Sequence, residues 1–258
     1  MSISTRSSFI YGHTITEGEN EFINFMEDGM TELSTTIDIG SYTITQFVNQ
    51  VAQALNDVGD NVYSVSLDRA TRLITISADN NFDLLVTNGT QVSISAFALM
   101  GFTTNRSGAS SYEADLPSGS IYFPQYNLMN YVAFEDMEES VQSKVNESSS
   151  GEIEVVSYGT RNFSEFNIKY ATDITGQGAI TDNPTGVSDL RIFMQYITKK
   201  RPFEFLPDKD MPENFESAIL ESTTKSRDGT GFMLRELYSQ KLANYFETGK
   251  LVLRKITV

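Results

Sequence analysis

The sequence predicts a β-rich α+β fold: two small, mostly antiparallel sheets, each packed with one or two helices. Three observations carry that expectation. Apolar and polar residues alternate over many short runs rich in Val, Ile, Thr and Tyr. Residues 34–102 read as a self-contained unit of strand, helix and hairpin. Only a few segments repeat apolar residues at three- and four-residue steps, so helices are few. The 258 residues are 40% hydrophobic, with 17 Phe, 12 Tyr and no Trp, enough to bury one large core or two smaller ones.

Residues 1–20 are rich in Ser, Thr and Gly around the apolar patch Phe9-Ile10-Tyr11, and read as an N-terminal arm whose patch either pairs as an edge strand or contacts a neighbouring protein. Residues 21–25 and 32–39 are expected strands joined through Asp28-Gly29 as a hairpin. The clearest helix covers 43–58. Thr43 and Gln46 have capping-box spacing, Ile44, Phe47, Val48, Val51, Ala52, Leu55 and Val58 share one face, and Gly59 is placed for a left-handed C-terminal cap. Strands at 62–67 and 73–77 flank a tight turn at 68–71. A further strand is expected at 82–86, and a short helix at 92–100 ends at Gly101.

Residues 103–120 read as a long connection, 121–134 as an apolar covering segment, and 135–144 as an acidic helix begun by Glu135-Asp136-Met137-Glu138-Glu139. Residues 153–158 and 163–170 look like paired strands, and 175–186 like an exposed loop. Ser188 caps an expected helix with Leu190, Phe193, Met194 and Ile197 on its apolar face. Strands at 203–206 and 215–220 flank a turn at 207–212. Residues 232–245 read as a helix with Leu234, Leu237, Tyr238 and Leu242 on one side, and 251–256 as a final strand. This divides the chain into an arm (1–20), a β-β-α-β-β domain (21–112), a connecting segment (113–150) and a second α+β domain ending in a strand (151–258).

The chemistry-bearing residues are sparse. Zero cysteines exclude disulfides, thiolate metal sites and cysteine nucleophiles. His13 is the only histidine and reads as an exposed loop residue, so histidine-based triads and multi-histidine metal sites lack their parts. Asp208 and Asp210 have the opening spacing of a calcium loop without its glycine, and read as a solvated turn. Gly176-Gln177-Gly178 has no Lys-Ser/Thr after it and is a loop. No catalytic, cofactor-binding or metal residues are assigned, no cofactor is expected, and the chain is read as a non-enzyme.

Nineteen basic against thirty-four acidic side chains give a net charge of −15, which opposes direct binding to nucleic acid. No run approaches the roughly 18 apolar residues of a membrane span, and no signal peptide is read at the N-terminus. The basic clusters Lys199-Lys200-Arg201 and Lys225-Ser226-Arg227 are candidate contacts to an acidic neighbour, such as the acidic first half of an adjacent copy.

Residues 37–43, Val51, Leu55, Asn56, 63–68, Thr71-Arg72, 74–76, 82–85 and Leu99-Met100-Gly101-Phe102 together resemble a module of virion structural proteins of tailed bacteriophages. A second stretch, 201–208 with 220–223 and 245–251, resembles the C-terminal part of phage minor tail or tail-tip proteins. The resemblance implies a non-enzymatic subunit that forms an oligomeric ring or collar in the tail tip, baseplate or connector. It would bind copies of itself and other virion proteins, and would be assembled in the host cytoplasm and located in the virion. A capsid decoration or head-fibre protein is the alternative within that class. A carbohydrate-binding or glycoside-degrading surface module is the alternative outside it.

Overall fold

A computed structural model describes residues 8–27, 29–122, 135–147, 149–151, 153–168, 171, 190–208, 210–223, 235–236 and 245–256. It is β-rich, with three helices and antiparallel pairing between its strands. The described residues form four sheets, of seven, five, two and two strands, where the sequence predicts two.

The first core is built as the sequence predicts. Strands β3 (Phe22–Met26) and β4 (Leu33–Thr36) pair as a hairpin. Helix α1 (Ile44–Val58) starts at a complete capping box, with the Thr43 hydroxyl accepting from Gln46 N–H and the Gln46 side chain accepting from Thr43 N–H. Its buried face is Ile44, Phe47, Val48, Val51, Ala54 and Leu55, whereas Val58 is exposed. Gly59 does not take the left-handed conformation. Its backbone is extended, and a Cβ there would lie 2.7 Å from a Glu27 carboxylate oxygen and 2.8 Å from the Tyr63 ring, so close packing excludes a side chain.

Strands β6 (Tyr63–Asp68) and β7 (Leu73–Leu84) form the expected hairpin, but β7 is one strand of 12 residues rather than two short ones. It runs on through Asp79-Asn80-Asn81, where β8 (Arg106–Glu113) pairs on either side, at Thr75–Ser77 and at Phe82 and Leu84, with a register shift between, and β3 pairs near its end. Strand β8 lies in the stretch expected to be a connection. Val92–Ile94 is a 3₁₀ turn and α2 (Phe97–Met100) a single turn ending at Gly101, whose φ of +86° provides the left-handed stop. The core under these strands runs from Ile15 to Ala114 and includes Phe25, Phe47, Phe82 and Phe97.

The second sheet departs further from expectation. Its order is β10 (Glu135–Glu147), β11 (Ile153–Asn167), β16 (Lys250–Lys255), β13 (Glu216–Thr223), β12 (Phe203–Leu206), β1 (Ser8–Tyr11), β9 (Ile121–Tyr122). Three of its seven strands therefore come from the expected arm and connecting segment. Strand β10 replaces the expected acidic helix, and β11 is one long strand, because the two pair with each other from Glu135↔Glu165 to Glu147↔Ile153. Helix α3 (Leu190–Thr198) buries Leu190, Phe193, Met194 and Ile197 as predicted, together with Tyr196.

Arg235–Glu236, inside the helix expected over 232–245, forms strand β14 and pairs with β15 (Phe246–Glu247) just beyond it; residues 232–234 and 237–244 lie outside the described residues. So do the 175–186 loop, Ser188 and most of the 121–134 covering segment.

From Ser8 onward the residues of the expected arm are structural. Strand β1 pairs with β12 on one side and β9 on the other, and all four of its residues are buried. Phe9 and Tyr11 face α3, with ring centroids 4.5 and 5.9 Å from Phe193. Ile10 faces the other way, onto Ile44 and Leu206. At Gly12 the chain crosses out of the sheet into β2 (His13–Ile15), which pairs with β5 (Gly40–Tyr42). A Cβ on Gly12 would sit 1.9 Å from the Tyr42 carbonyl oxygen.

Candidate functional site

Two places in the fold gather features beyond ordinary core packing. The first is a polar clamp between the two cores. Glu204 of β12 is opposite Ile10 in the ladder and fully buried. Its Oε1 accepts from the backbone N–H of Thr45 at 3.0 Å and from the Thr45 hydroxyl, so it caps the start of α1 from the other sheet. Its Oε2 is 3.4 Å from Arg69 Nε. Arg69 also donates to Thr45 Oγ1 at 2.6 Å and stacks 3.7 Å above the Phe215 ring. Thr45, Arg69 and Glu204 bond to one another across the two cores, so the constellation joins modules.

The second is the β10–β11 ribbon. Among the described residues, strand β16 supports β11 over Phe163–Asn167. The ten residues of β11 from Ile153 to Asn162, with their β10 partners, run past that support for about 30 Å. Val145 and Val155 are directly paired across the ribbon, and Ile153 is two residues from Val155 on the same face. These three are 62–66% exposed. Among the described residues β10 is an edge strand of the sheet.

The residues singled out in the sequence are placed as follows. Phe9, Ile10 and Tyr11 are buried within this chain and offer no outward patch. Lys199 lies exposed just past α3, and Lys200 takes a left-handed backbone (φ +61°) and donates to the carbonyls of Leu220 and Glu221 at 2.7 and 2.8 Å. Arg201 turns inward, donating to the hydroxyls of Thr14 and Ser41 across the β2–β5 pair. The cluster is thus divided, with Arg201 acting inside the chain. Lys225 and Arg227 lie outside the described residues.

His13 is buried, not exposed. Its Nε2 is 2.9 Å from Ser118 Oγ, and Ser118 donates its single hydroxyl proton to the Leu99 carbonyl at 2.7 Å. Nε2 is therefore the donor, and His13 is not set to take a proton from Ser118. The acidic turn behaves as read: Asp208 accepts from its own Asp210 N–H. Among the described residues no group of three or more His, Asp or Glu is placed to hold a metal, and no helix is long and apolar enough to cross a membrane.

Elsewhere, the Thr103 N–H and hydroxyl, with the Arg106 guanidinium, hold the Asp115 carboxyl at about 2. The Thr90 amide, helped by its hydroxyl and by Asn24, lowers Glu32. Both belong to loop anchoring.

The clamp and the ribbon were missed in the sequence for different reasons. A lone Glu between two Phe in 203–206 was the available signal for a buried carboxylate, but its partners are 159 and 135 residues away. The ribbon was hidden because Val141 and Val145 also satisfy helical spacing. No family model matches the chain, and no curated protein matches it.

Proposed function

We propose that this chain is a non-enzymatic structural subunit of a tailed-phage particle, forming an oligomeric ring or collar in the tail tip, baseplate or connector. The observation that carries the assembly part of this reading is the ribbon. A two-stranded hairpin is at best marginally stable in water, yet this one extends ten residues past its support with Val145, Ile153 and Val155 largely exposed. Covering three such side chains is worth roughly 3–6 kcal/mol, comparable with the lower estimates of association entropy, so the ribbon favours contact without fixing it alone. The phage part rests on the resemblance over residues 37–102, where helix α1 lies on the β6–β7 hairpin and the unit closes at Gly101.

The test compares the full chain with a variant in which residues 144–156 are replaced by Asn-Gly, a two-residue turn suited to joining Ser143 and Ser157, which are paired. Native mass spectrometry at high micromolar concentration is expected to show oligomers for the full chain and folded species of lower order for the shortened one. Proteomics of purified particles of the parent virus is expected to contain the chain. A full chain that stays monomeric and is absent from particles overturns the proposal.

A further inference from the structure

The free edge of β10 is the longest unpaired edge among the described strands. Strand β10 has 13 residues, whereas β9, the other edge of its sheet, has two and β4 has four. An open edge presents a row of backbone donors and acceptors that another strand can complete, and proteins blunt such edges with proline, bulges, charge or short length. Strand β10 contains no proline and no glycine. Of its two irregularities, the one near Val141 leaves the extra residue in β11 (Val141↔Thr160, Ser143↔Ser157), whereas the one between Glu135 and Met137 leaves Asp136 as a bulge in β10, so the regular edge of β10 begins at Met137. The remaining guard is charge: Glu135, Asp136, Glu138, Glu139 and Glu147 against the single Lys144.

That charge pattern has one self-consistent solution. Placing the strand antiparallel to itself with Val141 opposite Val141 sets Glu138 opposite Lys144 and Met137 opposite Val145, each twice by symmetry. Ser140 then meets Gln142, and Glu139 meets Ser143. No two acids oppose each other over Met137–Val145, and the Asp136 bulge ends the regular register before Glu135. Shifting the register by two residues, the smallest step that keeps each side chain on its face, sets Met137 against Ser143 or Glu147 and Val145 against Glu135 or Glu139, so the apolar pairing is lost in either direction.

We propose that β10 pairs antiparallel with β10 of a second copy of this chain, in the register centred on Val141. The partner is argued from this complementarity: opposite charges and apolar side chains fall across from each other in the same register, as cross-strand stabilisation requires. The inference rests on the assembly reading above and names its contact. The contact is isologous and closes on itself after two copies, so a ring would be propagated through a different surface, and β10 pairing would join subunits two by two.

The absence of cysteine makes the test direct, because each introduced thiol is the only one in its chain. V141C places the two thiols across from one another, within the Cα separation a disulfide spans. Oxidation by diamide is expected to give disulfide-linked dimer as the main product. M137C and V145C, each alone, hold their thiols about 27 Å apart in the pair and are expected to stay unlinked. A mixture of the two is expected to give the mixed dimer. K144E is expected to weaken dimerisation of the otherwise unaltered chain roughly tenfold, and the swap E138K/K144E to restore it.

The pairing is overturned if V141C links no better than M137C, or if the charge swap fails to rescue. If the chain still forms oligomers in native mass spectrometry under either result, the assembly reading stands and the β10 contact alone is wrong. A chain that is monomeric in every variant overturns both.

Discussion

Replacing Glu204 tests whether the two cores form one cooperative unit. In the native chain its carboxylate is fully buried, accepts the Thr45 N–H at 3.0 Å at the first turn of α1, and lies 3.4 Å from the Arg69 guanidinium. Glu204→Ala removes an acceptor at a helix start, worth about 1 kcal/mol. It also strips its buried partner from Arg69, which is only 12% exposed. Breaking a mostly buried pair from one side costs about 3–5 kcal/mol. Arg69 keeps Glu213 at 3.6 Å and the Phe215 ring, which brings the expected total to the lower part of that range, about 3 kcal/mol.

Glu204→Gln retains Oε1 for the Thr45 N–H and loses only the charge, and is expected to cost about 1–2 kcal/mol. Removing both ions in R69M/E204L leaves no orphaned charge and is expected to cost less than the sum of the single changes. Urea unfolding followed by far-UV circular dichroism measures these variants together with the single changes R69M and E204L. A loss below about 1 kcal/mol for Glu204→Ala, or strict additivity in the double variant, would refute the clamp as an energetic link.

Two further outcomes follow from single positions. Gly12→Ala puts a methyl 1.9 Å from the Tyr42 carbonyl oxygen and 2.9 Å from that of Pro202, both backbone atoms, and is expected to abolish soluble expression; a variant with an unchanged melting temperature would contradict the crossing described here. Asp115, held at about 2 against an ordinary 3.8, contributes stability that is present above the ordinary value and lost as pH falls toward 2, so Asp115→Asn is expected to flatten the melting temperature between pH 4 and 2, and an unchanged acid slope would count against the Thr103–Arg106 anchor.

What the sequence revealed follows the range of the interactions that decide each element. Helix α1 was readable because its cap and its apolar face lie within 15 residues, and Thr43 and Gln46 do pair as their spacing predicts. Strand β8 was not, because Arg-Ser-Gly-Ala-Ser-Ser carries little apolar patterning. The strand is held by the β7 ladder and by the Asp83 carboxylate accepting from Gly108 N–H. Strand β10 shows the competition most plainly. Its acidic start and the Val141/Val145 spacing fit a helix locally, and a 15-residue partner strand overrides that preference. The polar residues of His13, Arg201 and Glu204 were visible, but their partners lie 105 to 187 residues away and no local pattern points to them.

The threading of the N-terminal residues gives the ribbon its mechanical meaning. Strand β1 is covered on both faces, by Phe193 through Phe9 and Tyr11 and by Ile44 through Ile10. It is the sixth of the seven strands, enclosed between β12 and the short edge strand β9, and its residues continue at once into β2 on the first core. From β1 the ladder passes without interruption through β12, β13 and β16 to β11, and so to the base of the ribbon. A hydrogen-bonded ladder resists in-plane bending far better than a loop does. The direction of the projecting strands is thus tied to the first core through β1 and through the Glu204 clamp. A contact made at the ribbon would set the orientation of the whole chain, as a subunit that builds a particle of defined geometry requires. Loosening the clamp should accordingly broaden the geometry of any assembled species before it lowers their number.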